Sequence, residues 1–522
     1  MKKIVSVCIV LAGLMTVSDA WSGAPAKKAP VSLASLTTQA NKGNAAAQNK
    51  LGSLYATGNG VKQDYAAALK WWKKAAAKGN SEAMNNLGAM SENGHGVPQD
   101  YASAAAWYRK GAAKGNPVAQ TNLGILYESG QGVAIDYAEA LKWYTKAATA
   151  GNPEAQNNLA SLYLNGQGVK QDAAVALTWY RKAAEKGHAY AQYALVMISE
   201  QQKTADSKEN LVWLKKSAEA GLDLAQNELG LRCLNGSDGV EKNVVEARKW
   251  FTAAAEQGNE AALFNIALGD ERGDFGSKDS AAAIAGYRKA SEKGNLGAMM
   301  RLAEIYESGL GVAPDFKESF AWYLKAAESG ASAAAYKVGT MYLSGKGVTP
   351  DDAKGLEFLE KAANQGNVDA QMSLARIYQT GQSGVKQNAE KAVLWYQKAA
   401  ERNNPLAATN LGFIYARGIG IPENHVEAVK WYRKAADLGY PVAYYNLGYH
   451  YQHGLGVDKN LDEALRFYKA AQEKGGEYGD LQKRAKDGID QVEKAKAAPP
   501  APAEPENKQA PLTDKSEPAK SK

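Results

Sequence analysis

Cysteine is almost missing: Cys8 and Cys233 are the two in 522 residues. Histidine is scarce too, with five in all, His95, His188, His425, His450 and His453. Beyond the first twenty positions no apolar run is long enough to cross a bilayer. Each scarcity excludes something. A disulfide framework needs cysteines the chain does not have, so stability has to come from packing. Five histidines and one cysteine outside the N-terminal run leave little for a zinc or iron site, and no third ligand joins His450 and His453, three residues apart. The missing apolar spans predict no membrane crossing in the mature chain.

The N-terminus reads as an export signal. Lys2 and Lys3 precede an apolar run from Ile4 to Val17, and Ser18-Asp19-Ala20 offers a small-x-small cleavage site. Cys8 lies inside that run and not just after it, which argues against a lipid-anchored cysteine. Residues 1–20 are therefore expected to be removed, leaving 21–30 as a linker and a periplasmic or secreted protein. At the other end, 497–522 carry Pro499, Pro500, Pro502, Pro505, Pro511 and Pro518 among Ala, Glu and Lys. Such a tail cannot bury enough apolar area to offset its ordering entropy and is expected to be disordered.

What fills the middle is a repeat. Trp71, Trp107, Trp143 and Trp179 stand 36 residues apart. The series continues through Trp213, Trp250, Gly286, Trp322, Phe358, Trp395, Trp431 and Phe467, which makes twelve repeats. A chain of this length is too long for one compact core, and a fixed period of this size signals a solenoid of helix pairs. The first helix of each pair carries an aliphatic residue: Leu51, Leu87, Leu123, Leu159, Leu195, Leu229, Ile266, Leu302, Val338, Leu374, Leu411 and Leu447. Gly or Ala follows it nearly always, with Val196 the bulky exception. Gly in a helix costs about 1 kcal/mol relative to Ala, so its recurrence points to a close neighbour. Four positions after the aliphatic, on the same face, Tyr recurs in eight repeats, Tyr55 and Tyr127 among them.

Seven positions before each Trp-equivalent stands Asp or Asn, from Asp64 to Asn460, the residue types that cap a helix start. Eight positions after it comes Gly in eleven repeats and Asn403 in the other, residues that tolerate the left-handed conformation ending a helix. The second helix is thus delimited at both ends. Loops such as Gly58-Asn59-Gly60-Val61 permit positive φ and offer a Val to the space between the helices. Residues 31–43 read as the second helix of a missing earlier repeat and 476–496 as a polar closing helix, flanking repeats over 44–475. Lysines late in the second helices oppose the helix dipole and account for most of the net charge of +7. The recurrent aromatics are expected to be buried, which predicts no nucleic-acid partner.

The pattern over Ala119 to Gly151, Ala-x-x-x-Leu-Gly-x-x-Tyr-x-x-Gly-x-Gly-Val-x-x-Asp and then Ala-x-x-Trp-Tyr-x-Lys-Ala-Ala-x-x-Gly, resembles the Sel-1-like repeat. That family is related to the tetratricopeptide repeat, and the resemblance covers about residues 44 to 475. It implies an all-α, right-handed α-solenoid of about twelve 36-residue helix-turn-helix repeats, with first helices lining a concave face. It also implies adaptor or scaffold work, in exported bacterial members at the envelope or the host interface. A cysteine-rich secreted branch is associated with β-lactam binding or hydrolysis; its repeat disulfides are absent here, which makes that alternative weak.

No nucleophile–base pair, paired carboxylates or phosphate loop stands out from the period, so no catalytic residue and no cofactor is expected. Cys233 occupies a recurring Tyr position and reads as a small apolar residue. Just before the aliphatic stand Asn86, Asn122, Asn158, Asn265, Asn410 and Asn446. In the related tetratricopeptide family, Asn at the matching position faces the groove and bonds a peptide backbone. Asn offers donor and acceptor, so a ladder of them could hold a protein or peptide partner on the concave face. The competing reading has these amides bonded to the backbone of the adjacent repeat. Cell-wall glycan is the alternative partner. Repeats five and seven are irregular: one lacks the Gly-x-Gly-Val loop, the other has Gly286 for Trp and Asp270 for Tyr. A change of superhelix curvature between about 196 and 290 is one expectation from this, neutral drift the other.

Overall fold

The computed structural model describes residues 32–202, 207–476 and 479–497. The segments expected to be an export signal and a linker, the Pro-rich tail from 498 on, Asp206 and Tyr478 lie outside them. Among the described residues there are 26 helices and no strand, in a repeat of helix pairs. The chain divides into two compact bodies between Asn295 and Leu296.

In the first body a helix over Leu33–Asn41 precedes seven pairs. They are Ala45–Thr57 with Tyr65–Ala77, Ser81–Asn93 with Tyr101–Ala113, Pro117–Ser129 with Tyr137–Thr149, and Pro153–Asn165 with Ala173–Glu185. Ala189–Gln202 with Ser207–Glu219, Asp223–Asn235 with Val244–Glu256, and Glu260–Arg272 with Ser280–Glu292 follow. In the second body Leu296–Ser308 pairs with Phe316–Glu328, Ser332–Ser344 with Asp352–Asn364, and Val368–Thr380 with Ala389–Glu401. Pro405–Arg417 with His425–Asp437 and Pro441–His453 with Leu461–Lys474 complete the repeats, and Gly479–Ala497 closes the chain.

The caps act as their chemistry dictates. In each of the eleven repeats where the Asp or Asn is described, its side chain accepts a backbone N–H of the second helix's first turn. Each such cap stabilises by about 1 kcal/mol. The same residue's own N–H donates back to the end of the first helix, as from Asp64 to Tyr55 and from Asp136 to Tyr127, both at 2.9 Å. One residue therefore sets both the start of the second helix and its distance from the first. The glycines ending the second helices have positive φ, as does Asn403. Gly475 departs from that expectation with φ −83°, because the chain there enters the closing helix and not another repeat's Gly-Asn turn.

The core is built of alanines and one large residue per repeat, aromatic except at Leu214 and Leu359. The fully buried aromatic is the residue after the Trp series: Trp72, Tyr108, Tyr144, Tyr180, Phe251, Tyr287, Tyr323 and Tyr468 are at most 1% exposed. The Trp series itself is partly exposed from Trp71 to Trp322 and buried at Trp395 and Trp431. This corrects the expectation that all recurrent aromatics are buried. The i+3 lysine lies over the exposed indole face, Lys182 4.1 Å from the Trp179 ring and Lys110 4.2 Å from Trp107. The close neighbour that demands glycine is the buried aromatic: a Cβ at Gly88 or Gly124 would stand 2.5 Å from the ring of Tyr108 or Tyr144.

Repeats are joined by a glutamine three positions before the aliphatic. Gln48, Gln120, Gln156, Gln192, Gln226 and Gln371 are buried, and each Nε2 donates at 2.9–3.2 Å to a carbonyl near the end of the preceding second helix. A helix end leaves carbonyls without intrahelical donors, and these amides meet them. Gln48 reaches Ala40, so the Leu33–Asn41 helix takes the place of a preceding second helix.

Candidate partner-binding face

Alternation of the first helices puts one side of each in the core and turns the other outward. Asn86 is buried, while Asn122, Asn158, Asn265, Asn410 and Asn446 are partly exposed. The amides of Asn86, Asn122 and Asn265 are engaged between repeats. Nδ2 of Asn86 donates to Asn49 Oδ1 at 3.1 Å, Asn122 to Asn85 at 3.0 Å, and Asn265 to Asn227 at 2.9 Å. Asn49 in turn donates to Glu82 at 2.8 Å, giving a relay across two repeats. Asn158 accepts from Asn157 at 3.1 Å. Asn122, Asn158 and Asn410 also bond the hydroxyls of Tyr108, Tyr144 and Tyr396. In Asn86, Asn122 and Asn265 the adjacent repeat takes one N–H through a side-chain amide and not through its backbone. Asn86 and Asn265 each keep a second N–H and their own Oδ1 beyond that bond, while Asn122 also meets the Tyr108 hydroxyl.

A second row was not read from the sequence. Five positions after the aliphatic, a Glu or Gln receives the hydroxyl of the buried Tyr. Tyr144 donates to Glu128 at 2.7 Å, Tyr287 to Glu271 at 2.6 Å, Tyr323 to Glu307 at 3.0 Å, Tyr396 to Gln379 at 2.8 Å and Tyr468 to Gln452 at 2.7 Å. The sequence carries this only in part: where the buried residue has no phenol, as in Trp72, Phe251 and Leu359, the partner position is Ala56, Leu234 and Leu343, but the repeats of Tyr180 and Tyr432 also have Leu164 and Ala416 there, and that of Leu214 has Glu200. Burial raises the carboxyls of Glu92 and Glu128, and the bonded tyrosines pull them part of the way back. Burial acts to raise Glu307 as well, but Lys346, Tyr323 and Lys337 outweigh it and its carboxyl sits below the usual range.

Three positions after the aliphatic the residue is normally apolar and buried, as in Met90, Leu126 and Leu162. Arg232 and His450 are exceptions. Arg232 is 2% exposed and held by Glu200 at 2.6 Å and Glu228 at 3.0 Å, with Nη1 left without a partner. Glu200 is free for this because Leu214 stands where its Tyr would be. His450 Nδ1 is 2.9 Å from the Leu455 carbonyl, and burial lowers its pKa. His453 is exposed with its ring 4.4 Å from that of Tyr449. The structure therefore places the two histidines in different surroundings. Cys233 is buried, which pushes its thiol pKa up.

In repeat seven the substitutions compensate one another. A Cβ at Gly286 would lie 2.9 Å from Ala267, so losing the Trp brings the two helices together. Asp270, in place of Tyr, pairs with Arg248 at 3.3 Å, and Phe275 from the loop packs edge-on against Phe251.

The family model of the Sel1 repeat matches residues 45–80, 81–116, 117–152, 153–188, 223–259, 261–295, 297–330, 332–367, 368–404, 405–440 and 441–476. Repeat five, whose loop is irregular, falls between these matches. A solved structure of a protective antigen present in uropathogenic Escherichia coli strains, displaying an SLR fold, is 32% identical, with a TM-score of 0.57, over 91% of this chain and all of the other. A Sel1 repeat protein from Oxalobacter formigenes is 31% identical, with a TM-score of 0.38, over 54% of this chain and 99% of the other. No curated protein sequence matches the chain.

Proposed function

Because the chain belongs to the Sel1 repeat family, we propose that it is a non-enzymatic scaffold whose bodies each hold an extended segment of a protein partner along the face of their first helices. The observation that carries this reading is the amide row. Asn122, Asn158, Asn265, Asn410 and Asn446 are partly exposed, one per first helix, and the helices of Asn122 and Asn158 are fixed by side-chain caps and by buried Gln bonds. An amide locked by its neighbour presents its remaining donor and acceptor in a set orientation, and so holds a chain at lower entropic cost. The setting is the periplasm or the outside of the cell, as the N-terminal Lys2, Lys3 and apolar run support. The E. coli relative's description as a protective antigen favours the same setting, since such a protein is met by the host's immune system.

The test is replacement of Asn122, Asn158 and Asn410 by Ala, followed by affinity capture from envelope extract and mass spectrometry. Loss of specific partners with helical content intact is the expected result; unchanged capture removes the reading. A second reading, binding to cell-wall glycan, draws on one observation, the partly exposed Trp71 to Trp322 series. Sedimentation with purified cell wall, lost on replacing Trp143 and Trp179 by Ala, would favour it over the protein partner. N-terminal sequencing of the exported form should begin at Trp21.

A further inference from the structure

We propose that the first-helix face of the last three repeats is a docking surface for an acidic, extended peptide with regularly spaced apolar side chains. The inference rests on the reading of the first helices as the partner-binding face and names the partner's chemistry there.

The two bodies carry different charges on these helices. In repeats one to four the first helices hold Glu82, Glu92, Glu128 and Glu154 against Lys50 alone. In repeats ten to twelve the one carboxylate is Asp369, against Arg376 and Arg417. Both arginines are exposed, and among the described residues neither lies within ion-pair distance of a carboxylate. Basic residues on the first helices of repeats eight and nine are neutralised instead: Arg301 by Glu304 at 2.8 Å and Lys337 by Glu307 at 3.2 Å.

Two positions after the aliphatic, repeats ten, eleven and twelve present Arg376, Phe413 and Tyr449 in succession. Phe413 and Tyr449 are large rings, each 45% exposed. One turn further on stand Arg417, 6.0 Å from the Phe413 ring, and His453, its ring 4.4 Å from that of Tyr449 and tilted by 50°. Cation and aromatic alternate over a surface nearly free of negative charge, and the complement of such a surface is anionic and apolar. Neighbouring packed helices are about 10 Å apart, and an extended chain advances about 3.3 Å per residue. A peptide crossing the helices therefore meets each repeat with every third side chain, its carboxylates on Arg376 and Arg417 and its apolar groups on Phe413 and Tyr449.

The experiment is fluorescence anisotropy of the full chain with a labelled dodecapeptide of Glu-Leu-Asp triplets, against one of Lys-Leu-Lys triplets, with oligothymidylate as competitor. The acidic peptide should bind and weaken as salt rises, and R376E/R417E should weaken it at least about tenfold. F413A/Y449A should also weaken it, whereas K73E, on a second helix of the other body, should leave it unchanged. No loss in R376E/R417E overturns the proposal, as does tighter binding of oligothymidylate at the same residues. If acidic and basic peptides bind alike, this inference alone falls. If no peptide of either charge binds, the partner-binding reading falls with it.

Discussion

Nδ2 of Asn122 donates to Oδ1 of Asn85 across 3.0 Å, so a side chain of the third repeat closes the hydrogen bonding of a buried side chain in the second. Asn85 is 3% exposed, and without Asn122 its oxygen has no water to turn to. Leaving such an acceptor unmet costs about 1–3 kcal/mol. N122A is expected to fall in the lower part of that range, because Asn122 itself is partly exposed. N85A/N122A should cost no more than N122A, since the orphaned oxygen goes with it. Denaturant melts followed by circular dichroism check this; strict additivity of the two losses would show that the pair is not coupled.

The Tyr144–Glu128 pair predicts a pH dependence. Burial holds the Glu128 carboxyl above its ordinary value, so the folded chain carries its ionised form at a cost. That cost is present above the raised value and absent once the pH is below the unfolded one. Tyr144 favours the ionised form by donating to it. Y144F should therefore destabilise by about 1–2 kcal/mol at neutral pH, and its deficit relative to the parent should shrink as the solution is acidified and Glu128 takes a proton. E128L/Y144F copies the Leu234 and Phe251 found in repeat six and should recover most of the loss. Thermal melts of parent, single and double variants at neutral and acidic pH give the comparison.

The repeat was legible because its ends are chemical. Asp64 and its counterparts, the Gly after each second helix and the Trp-Tyr-x-Lys-Ala-Ala run are short-range signals, and the helices begin and end where these residues place them. The close approach implied by Gly88 was legible as well, though not the identity of the neighbour, Tyr108, twenty residues away. The Gln staples, the Tyr–Glu pairs and the inward bond of Asn86 were missed for one reason. Each joins positions eight or more residues apart, which a period locates on helices but does not orient around them. The exposure of the Trp series depends on the same rotation about the helix axis.

Arg232 sits where other repeats have Met90 or Leu126, so its charge is a local exchange of an apolar contact for an ion network. A buried cation deprived of its partners costs about 3–5 kcal/mol, while an apolar replacement of similar length is often neutral. R232M is therefore expected to change stability little, because Glu200 and Glu228 are partly exposed and can rehydrate. E200Q/E228Q should be strongly destabilising in the Arg232 background and nearly silent in the R232M background. Denaturation followed by tryptophan fluorescence, with Trp213 and Trp250 close by, reads both. A large loss in R232M itself would mean that the network, and not its completeness, holds repeats five and six together.

Val196 is the one bulky residue at the glycine position, and the residue it meets, Leu214, is the one place in the first body where that partner is not aromatic; both are fully buried. Volume gained on the first helix is thus matched by volume lost on the second. Gly124 against Tyr144 is the opposite arrangement, with no room for even a Cβ at 2.5 Å. G124V should overpack that contact and destabilise by about 1–3 kcal/mol, in spite of the better helix propensity of Val over Gly. Y144L alone should leave a cavity and an unmet Glu128, at about 2–3 kcal/mol. Together the two reproduce the pairing of repeat five, and G124V/Y144L should be more stable than the sum of its parts implies by at least about 1 kcal/mol. What remains lost should be the Glu128 carboxylate without its phenol, since the matching Glu200 has Arg232 to turn to and Glu128 has none. Adding E128L should remove that remainder, and failure to do so would place the deficit in packing and not in the missing hydrogen bond.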